Sequence, residues 1–186
     1  MKRFMQLCII LSLGLVVGSC GGSSTLDNTE AAVYLTVDIS DYNPEIDVCV
    51  QVTDIAISSM DIESQMKDPD GSSTSQQDVN LKRWVIRPYR TDGGTVASPE
   101  WTYDQVVFVP AGGTSSLENY RVYPLEYLSE IPLAYLLPEN GGFDPETGNS
   151  NIRQSFELQI YGQTVSGKNV ATIPVSIAFN FFCLGQ

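Results

Sequence analysis

Apolar and polar residues alternate along this chain with a period of two. Val33, Leu35, Val37 and Ile39 are apolar, while Thr36 and Asp38 between them are polar. Near the other end, Ile173, Val175, Ile177, Phe179, Phe181 and Cys183 share one parity. In an extended strand successive side chains point to opposite faces, so such a run buries one face and wets the other. A helix scatters the same residues around its axis. Both ends of the chain are therefore expected to be strands of half-buried sheets.

The rest of the chain repeats the pattern in shorter pieces. Asp41-Tyr42-Asn43-Pro44 reads as a turn. Val48, Val50 and Val52 then alternate with Cys49, Gln51 and Thr53, which predicts a second strand. After Asp54 the phase flips to Ile55 and Ile57, the mark of a bulge or of two strands joined by a kink. Residues 64–78 form a polar loop around Asp68-Pro69-Asp70-Gly71. Strand-like stretches return at Val79–Arg87, Gln105–Val109 and Tyr120–Tyr123, separated by Gly-, Pro- and Ser-rich turns. Ser129–Leu137 is the one helical candidate, and Pro132 and Pro138 limit it to about a turn. Phe156, Leu158 and Ile160 open a final hairpin whose turn is Ser166-Gly167-Lys168-Asn169. Pro174 falls on the opposite face near the start of the last strand, where its missing N–H matters least. Many short strands with little helix predict an all-β fold, an antiparallel β-sandwich with at most one short helix.

The N-terminus follows different rules. Lys2 and Arg3 precede an apolar run from Phe4 to Val17, too short to span a bilayer as a helix. Small residues then lead to a cysteine: Val17-Gly18-Ser19-Cys20. Basic start, apolar core and small-residue exit are the anatomy of a signal peptide. The exit resembles the lipobox of bacterial lipoproteins. That resemblance implies cleavage before Cys20, lipidation of its thiol and acylation of the new N-terminus, palmitate among the acyl groups. More than one acyl chain anchors a protein stably. Gly21, where inner-membrane lipoproteins typically carry Asp, implies the outer membrane, on its periplasmic or surface face. The expected organisation is a signal peptide over 1–19, a lipidated Cys20 with a Gly/Ser-rich tether over 20–31, and a sandwich over 32–186. The closing hairpin and its Cys-bearing last strand also loosely resemble the immunoglobulin-like or fibronectin-type modules of bacterial surface proteins.

Charge and composition exclude several functions. Cleavage removes two of the ten basic residues and leaves all 22 acidic ones, so the mature formal charge is near −14. Nucleic-acid binding rests on Lys and Arg neutralising phosphate, so no nucleic-acid partner is expected. The membrane contact is left to the N-terminal lipid. The chain has no histidine, which removes Ser-His-Asp and Cys-His nucleophile activation, histidine-ligated zinc or copper, and c-type haem attachment. No cofactor is expected and no catalytic residue is assigned.

With Cys8 in the signal and Cys20 lipidated, Cys49 and Cys183 remain. In an oxidising envelope a disulfide is their default fate, with a two-thiolate metal site as the alternative. Trp84 and Trp101 lie between these cysteines, but a separation of 134 residues is too long for the Cys–Trp–Cys framework of antibody domains. Two acidic loops begin like calcium sites without completing one: Asp68 with Asp70, and Asp144 with Glu146. Both are ordinary turn sequences. Tyr120, Tyr123 and Tyr127 form a dense aromatic group, read as packing ahead of a sugar-stacking platform. The expectation is a non-enzymatic, lipid-anchored structural or interaction module with an envelope protein partner. The alternative is a lipoprotein whose loops recognise glycan or calcium, and a hydrolase with paired carboxylates comes last.

Overall fold

The computed structural model describes residues 30–184. The lipobox, Cys20 and most of the tether lie outside the described residues. The described chain forms two packed sheets from nine strands: β1 (Val33–Tyr42), β2 (Glu45–Asp47), β3 (Ile55–Met66), β4 (Val79–Arg90), β5 (Trp101–Val109), β6 (Thr114–Tyr123), β7 (Asn151–Thr164), β8 (Asn169–Ala171) and β9 (Val175–Phe182). The smaller sheet has the order β1-β3-β6. The larger runs β2-β9-β7-β4-β5, with β8 also pairing with β7. Every pairing is antiparallel except β2 with β9.

This is the all-β sandwich that the alternation predicts, and its strand path is of the immunoglobulin type. In that nomenclature β1, β3 and β6 correspond to strands A, B and E, and β9, β7, β4 and β5 to G, F, C and C′. Strand D of the smaller sheet has no counterpart among the described residues. Trp84 is fully buried on β4, the position of the core tryptophan of immunoglobulin domains. Its ring meets Tyr120 of the opposite sheet at a centroid distance of 4.3 Å. Where antibody domains place a disulfide between strands B and F, this chain packs apolar side chains. Ile57, Met60 and Ile62 of β3 and Phe156, Leu158 and Ile160 of β7 are all solvent-free. Each such side chain contributes roughly 1.5–3 kcal/mol by leaving water. Phe156 joins Tyr123 and Phe179 in edge-on contacts at 4.7 and 5.1 Å.

Several local expectations are corrected. Val48–Val52 is a turn and loop, not a strand: Asp47 C=O accepts the N–H of Gln51 at 3.0 Å, and the Asp47 carboxylate accepts that of Cys49. Val50 and Val52 are consequently exposed. The segment joins sheet to sheet over the end of the sandwich, so it has no strand beside it to complete a ladder. The polar loop begins after Met66, because β3 runs on to pair with β1 as far as Val33. The helical candidate Ser129–Leu137 holds a single 3-10 turn at Leu133–Leu136, and further 3-10 turns flank it at Leu125–Ser129 and Pro138–Asn140. The last apolar run is strand β9, with Ile173 before its start and Cys183 just past its end. Pro174 separates β8 from β9, and only Ile177, Phe179 and Phe181 of it are fully enclosed. Ala31 is already buried, so the folded unit starts before residue 32. No helix among the described residues is long and apolar enough to cross a membrane.

Candidate functional site

The two ends of the sandwich differ. At one end the chain enters from residue 30. There Glu30 pairs with Lys168, Ala32 C=O accepts the N–H of Lys67, and Ser64 N–H donates to Gly113. This end carries the 67–78 loop and two tight turns. The other end carries residues 48–54, 91–100 and 124–150, together with the end of β9.

The disulfide closes this far end. Cys49 and Cys183 are bonded, with Cα atoms 5.2 Å apart. Val48 N–H donates to Phe182 C=O beside it. Asp47, Cys49 and Cys183 form the one grouping of three metal-ligating side chains among the described residues, and the bond consumes both thiols.

A buried ionic knot lies at the same end. Arg90 ends β4 with a side chain only 1% exposed. Its Nε and Nη2 donate to the Asp92 carboxylate at 2.7 and 2.9 Å. Nη2 also donates to Asp144 Oδ2 at 2.6 Å, and Nη1 donates to the Val96 carbonyl. Glu146 approaches the same guanidinium at 3.7 Å and accepts the amides of Thr95 and Val96. Gly94 lies against the guanidinium; a Cβ there would sit 2.3 Å from Arg90 Cζ. Burial pushes the Asp92 and Asp144 carboxyls up, but Arg90 and neighbouring N–H and O–H donors more than offset it, and both end below their ordinary range. Hydrogen bonds from Thr95 and Val96 likewise lower Glu146. The knot ties the 91–96 loop to residues 144–149. Its carboxylates are engaged charge partners, with no proton held ready for transfer.

The third feature is an open groove of about 770 Å³ on the solvent face of the larger sheet. A local irregularity creates it. Against β7, Leu81 pairs with Gly162 and Arg83 with Tyr161, so Lys82 is an extra residue. Against β5, Leu81 pairs with Val107 and Arg83 with Asp104, so Gln105 and Val106 face Lys82 alone. Alternation breaks here, and Lys82 and Arg83 both point to solvent. Gly162 makes the bulge possible: a Cβ there would lie 2.3 Å from Asn80 O and 2.7 Å from Leu81 Cα. Tyr161, Gln163 and Val106 wall the groove.

Of the residues singled out in sequence, the structure joins Cys49 to Cys183 and draws Asp144 and Glu146 around Arg90. Asp68 and Asp70 are exposed in a turn in which Asp68 Oδ1 accepts the Asp70 N–H. Tyr120 and Tyr123 are core residues, and burial raises both phenols. Sequence reasoning missed Arg90 and the groove. The groove had a signal, because Val79 and Leu81 share one parity while Trp84 and Ile86 share the other. The Arg90 knot had none, since its partners are up to 56 residues away. Fold and features together define an immunoglobulin-type sandwich stapled by a disulfide and carrying an open groove on one sheet face. No protein-family model matches the chain, and no curated protein matches it in sequence.

Proposed function

We propose that this chain is a lipid-anchored envelope protein, held to the outer membrane through Cys20, whose sandwich is a non-enzymatic structural or interaction module. One observation carries the non-enzymatic part. Among the described residues, every carboxylate whose ionisation the fold clearly shifts is lowered: Asp54, Asp92, Asp104, Asp144 and Glu146. A general acid needs a carboxyl raised towards the working pH. These groups are instead held charged by Arg and N–H partners, and histidine is absent. The end-to-end polarity fits an anchor. A tether from Cys20 would reach the domain at residue 30 and direct residues 48–54, 91–100 and 124–150 away from the bilayer.

The anchor is tested by replacing Cys20 with Ser. Palmitate labelling is expected to vanish and the signal to stay uncleaved, whereas the wild-type protein labels with palmitate and partitions into detergent. A wild-type mature protein that starts elsewhere than Cys20 and stays aqueous sinks the anchor. Of the two ligands in the alternative reading, glycan draws support from the sheet-face groove. Calcium draws none from Asp144 and Glu146, whose oxygens already accept Arg90 and backbone donors.

A further inference from the structure

We propose that the groove on the outer face of the larger sheet binds an acidic saccharide, a uronic-acid-containing glycan. The inference deepens the reading of the chain as a non-enzymatic module and rests on it.

Charge gives the first argument. The chain has a formal charge of −12, yet this groove places Lys82 and Arg83 side by side. The carboxylate in its lining is Asp104, and Arg83 already holds it at 3.0 Å. Among the described residues the Lys82 ammonium has no hydrogen-bond or ion-pair partner. An uncommitted cation in a strongly acidic protein is an attachment point for a carboxylate, by a charge-assisted hydrogen bond.

The walls give the second. Gln105, Gln163 and Asn169 bring amide donors and acceptors to the groove, and Gln163 Nε2 donates to Asn169 Oδ1 at 3.1 Å. Tyr161 and the 67%-exposed Val106 supply apolar surface between them. A sugar ring presents hydroxyls at its rim and C–H groups on its faces, and this mixture of amides, a phenol ring and an aliphatic side chain matches both. The volume lies within the range of small-ligand sites, about 300–1,000 Å³.

The backbone gives the third, by weighing against an added peptide strand. β5 is the edge of its sheet, and a strand adding there would need its carbonyls free. Phe108 C=O is instead taken by Ser115 Oγ at 2.6 Å, and Gln105 C=O by the Trp84 indole N–H at 3.0 Å.

The test titrates the purified full-length protein in detergent with trigalacturonate, following backbone amides by NMR. Galactotriose serves as the neutral control and hexaglutamate as the acidic peptide control. Shifts are expected around Lys82, Arg83, Gln105, Val106 and Tyr161, with a dissociation constant of about 1 mM or tighter. Lys82→Gln, an exposed change that leaves the fold intact, is expected to weaken binding about tenfold. Galactotriose is expected to bind at least about tenfold more weakly for the same reason. No shifts at these amides, equal affinity for galactotriose, equal affinity for hexaglutamate, or full affinity in Lys82→Gln would each overturn the assignment. The trisaccharide is expected to be recovered intact. Its cleavage overturns the non-enzymatic reading and the proposal with it, whereas absence of binding overturns the groove assignment alone.

Discussion

Arg90 illustrates how much one side chain can decide. It brings one positive charge into a region that encloses Asp92 and Asp144 almost completely. Removing the cation strands two carboxylates where water cannot reach them. Breaking a buried pair in this way costs about 3–5 kcal/mol. Arg90→Met is therefore expected to lose that much stability in urea unfolding, and Asp144→Asn less, because Asp92 still faces the guanidinium. An Arg90→Met protein within about 1 kcal/mol of wild type would show that the knot is dispensable. Gly162 is the second such residue. Its missing Cβ is what allows β7 to approach the β4 bulge, and the atoms that Cβ would meet are backbone and cannot rotate away. Gly162→Ala is expected to cost about 3 kcal/mol by overpacking. An alanine variant that unfolds at the wild-type denaturant midpoint would contradict the close approach.

At the level of elements, the sandwich holds its strands in two ways. Most are held by long ladders, β4 against β7 over Val79 to Arg90 and β1 against β3 over Val33 to Tyr42. β2 is three residues long and pairs in parallel with β9 alone, so it has little ladder of its own. The disulfide follows β2 at once and fixes it to the end of β9. For a closed loop of more than a hundred residues the chain-entropy account gives about 5 kcal/mol. Reduction, or the paired change Cys49→Ser with Cys183→Ser, is expected to lower the unfolding temperature strongly. Amide exchange should rise first in residues 45–54 and at the end of β9, with β3, β4 and β7 still protected. A melting temperature indifferent to reductant would contradict the staple.

At the scale of the molecule, acidity and the buried knot make stability depend on pH. Asp92 and Asp144 have folded-state pKa values below the ordinary aspartate value of 3.8. Carboxyls lowered by folding stabilise the native state above their unfolded pKa, and that stabilisation is lost as pH falls through the folded value. Wild-type stability is expected to hold through neutral pH and to drop below about pH 4. In Arg90→Met the sign reverses at these two groups. Burial without a cation raises their pKa, so acidification should recover part of the lost stability. Urea midpoints at pH 7 and pH 4.5 for both proteins check this, and a parallel decline in the two would contradict it.

The sequence by itself determined the fold class, because a period of two is a local property of the backbone and survives in any arrangement of the strands. With Cys8 and Cys20 placed in the proposed signal and anchor, it also left Cys49 and Cys183 as the pair, and these two are bonded. It misread Val48–Val52, where alternation was present but no neighbouring strand was, since a strand exists only through its partner's hydrogen bonds. It left Trp84 unassigned, because the position of a core tryptophan depends on which strands flank it. Tertiary structure alone decided that the carboxylates of Asp144 and Glu146 face an arginine, because that pairing joins residues 54 and 56 positions apart that no periodicity connects. It also decided that Lys82 stands beside a groove. That groove arises where three strands fall out of register over one residue, a mismatch that comes into being only when the strands are laid side by side.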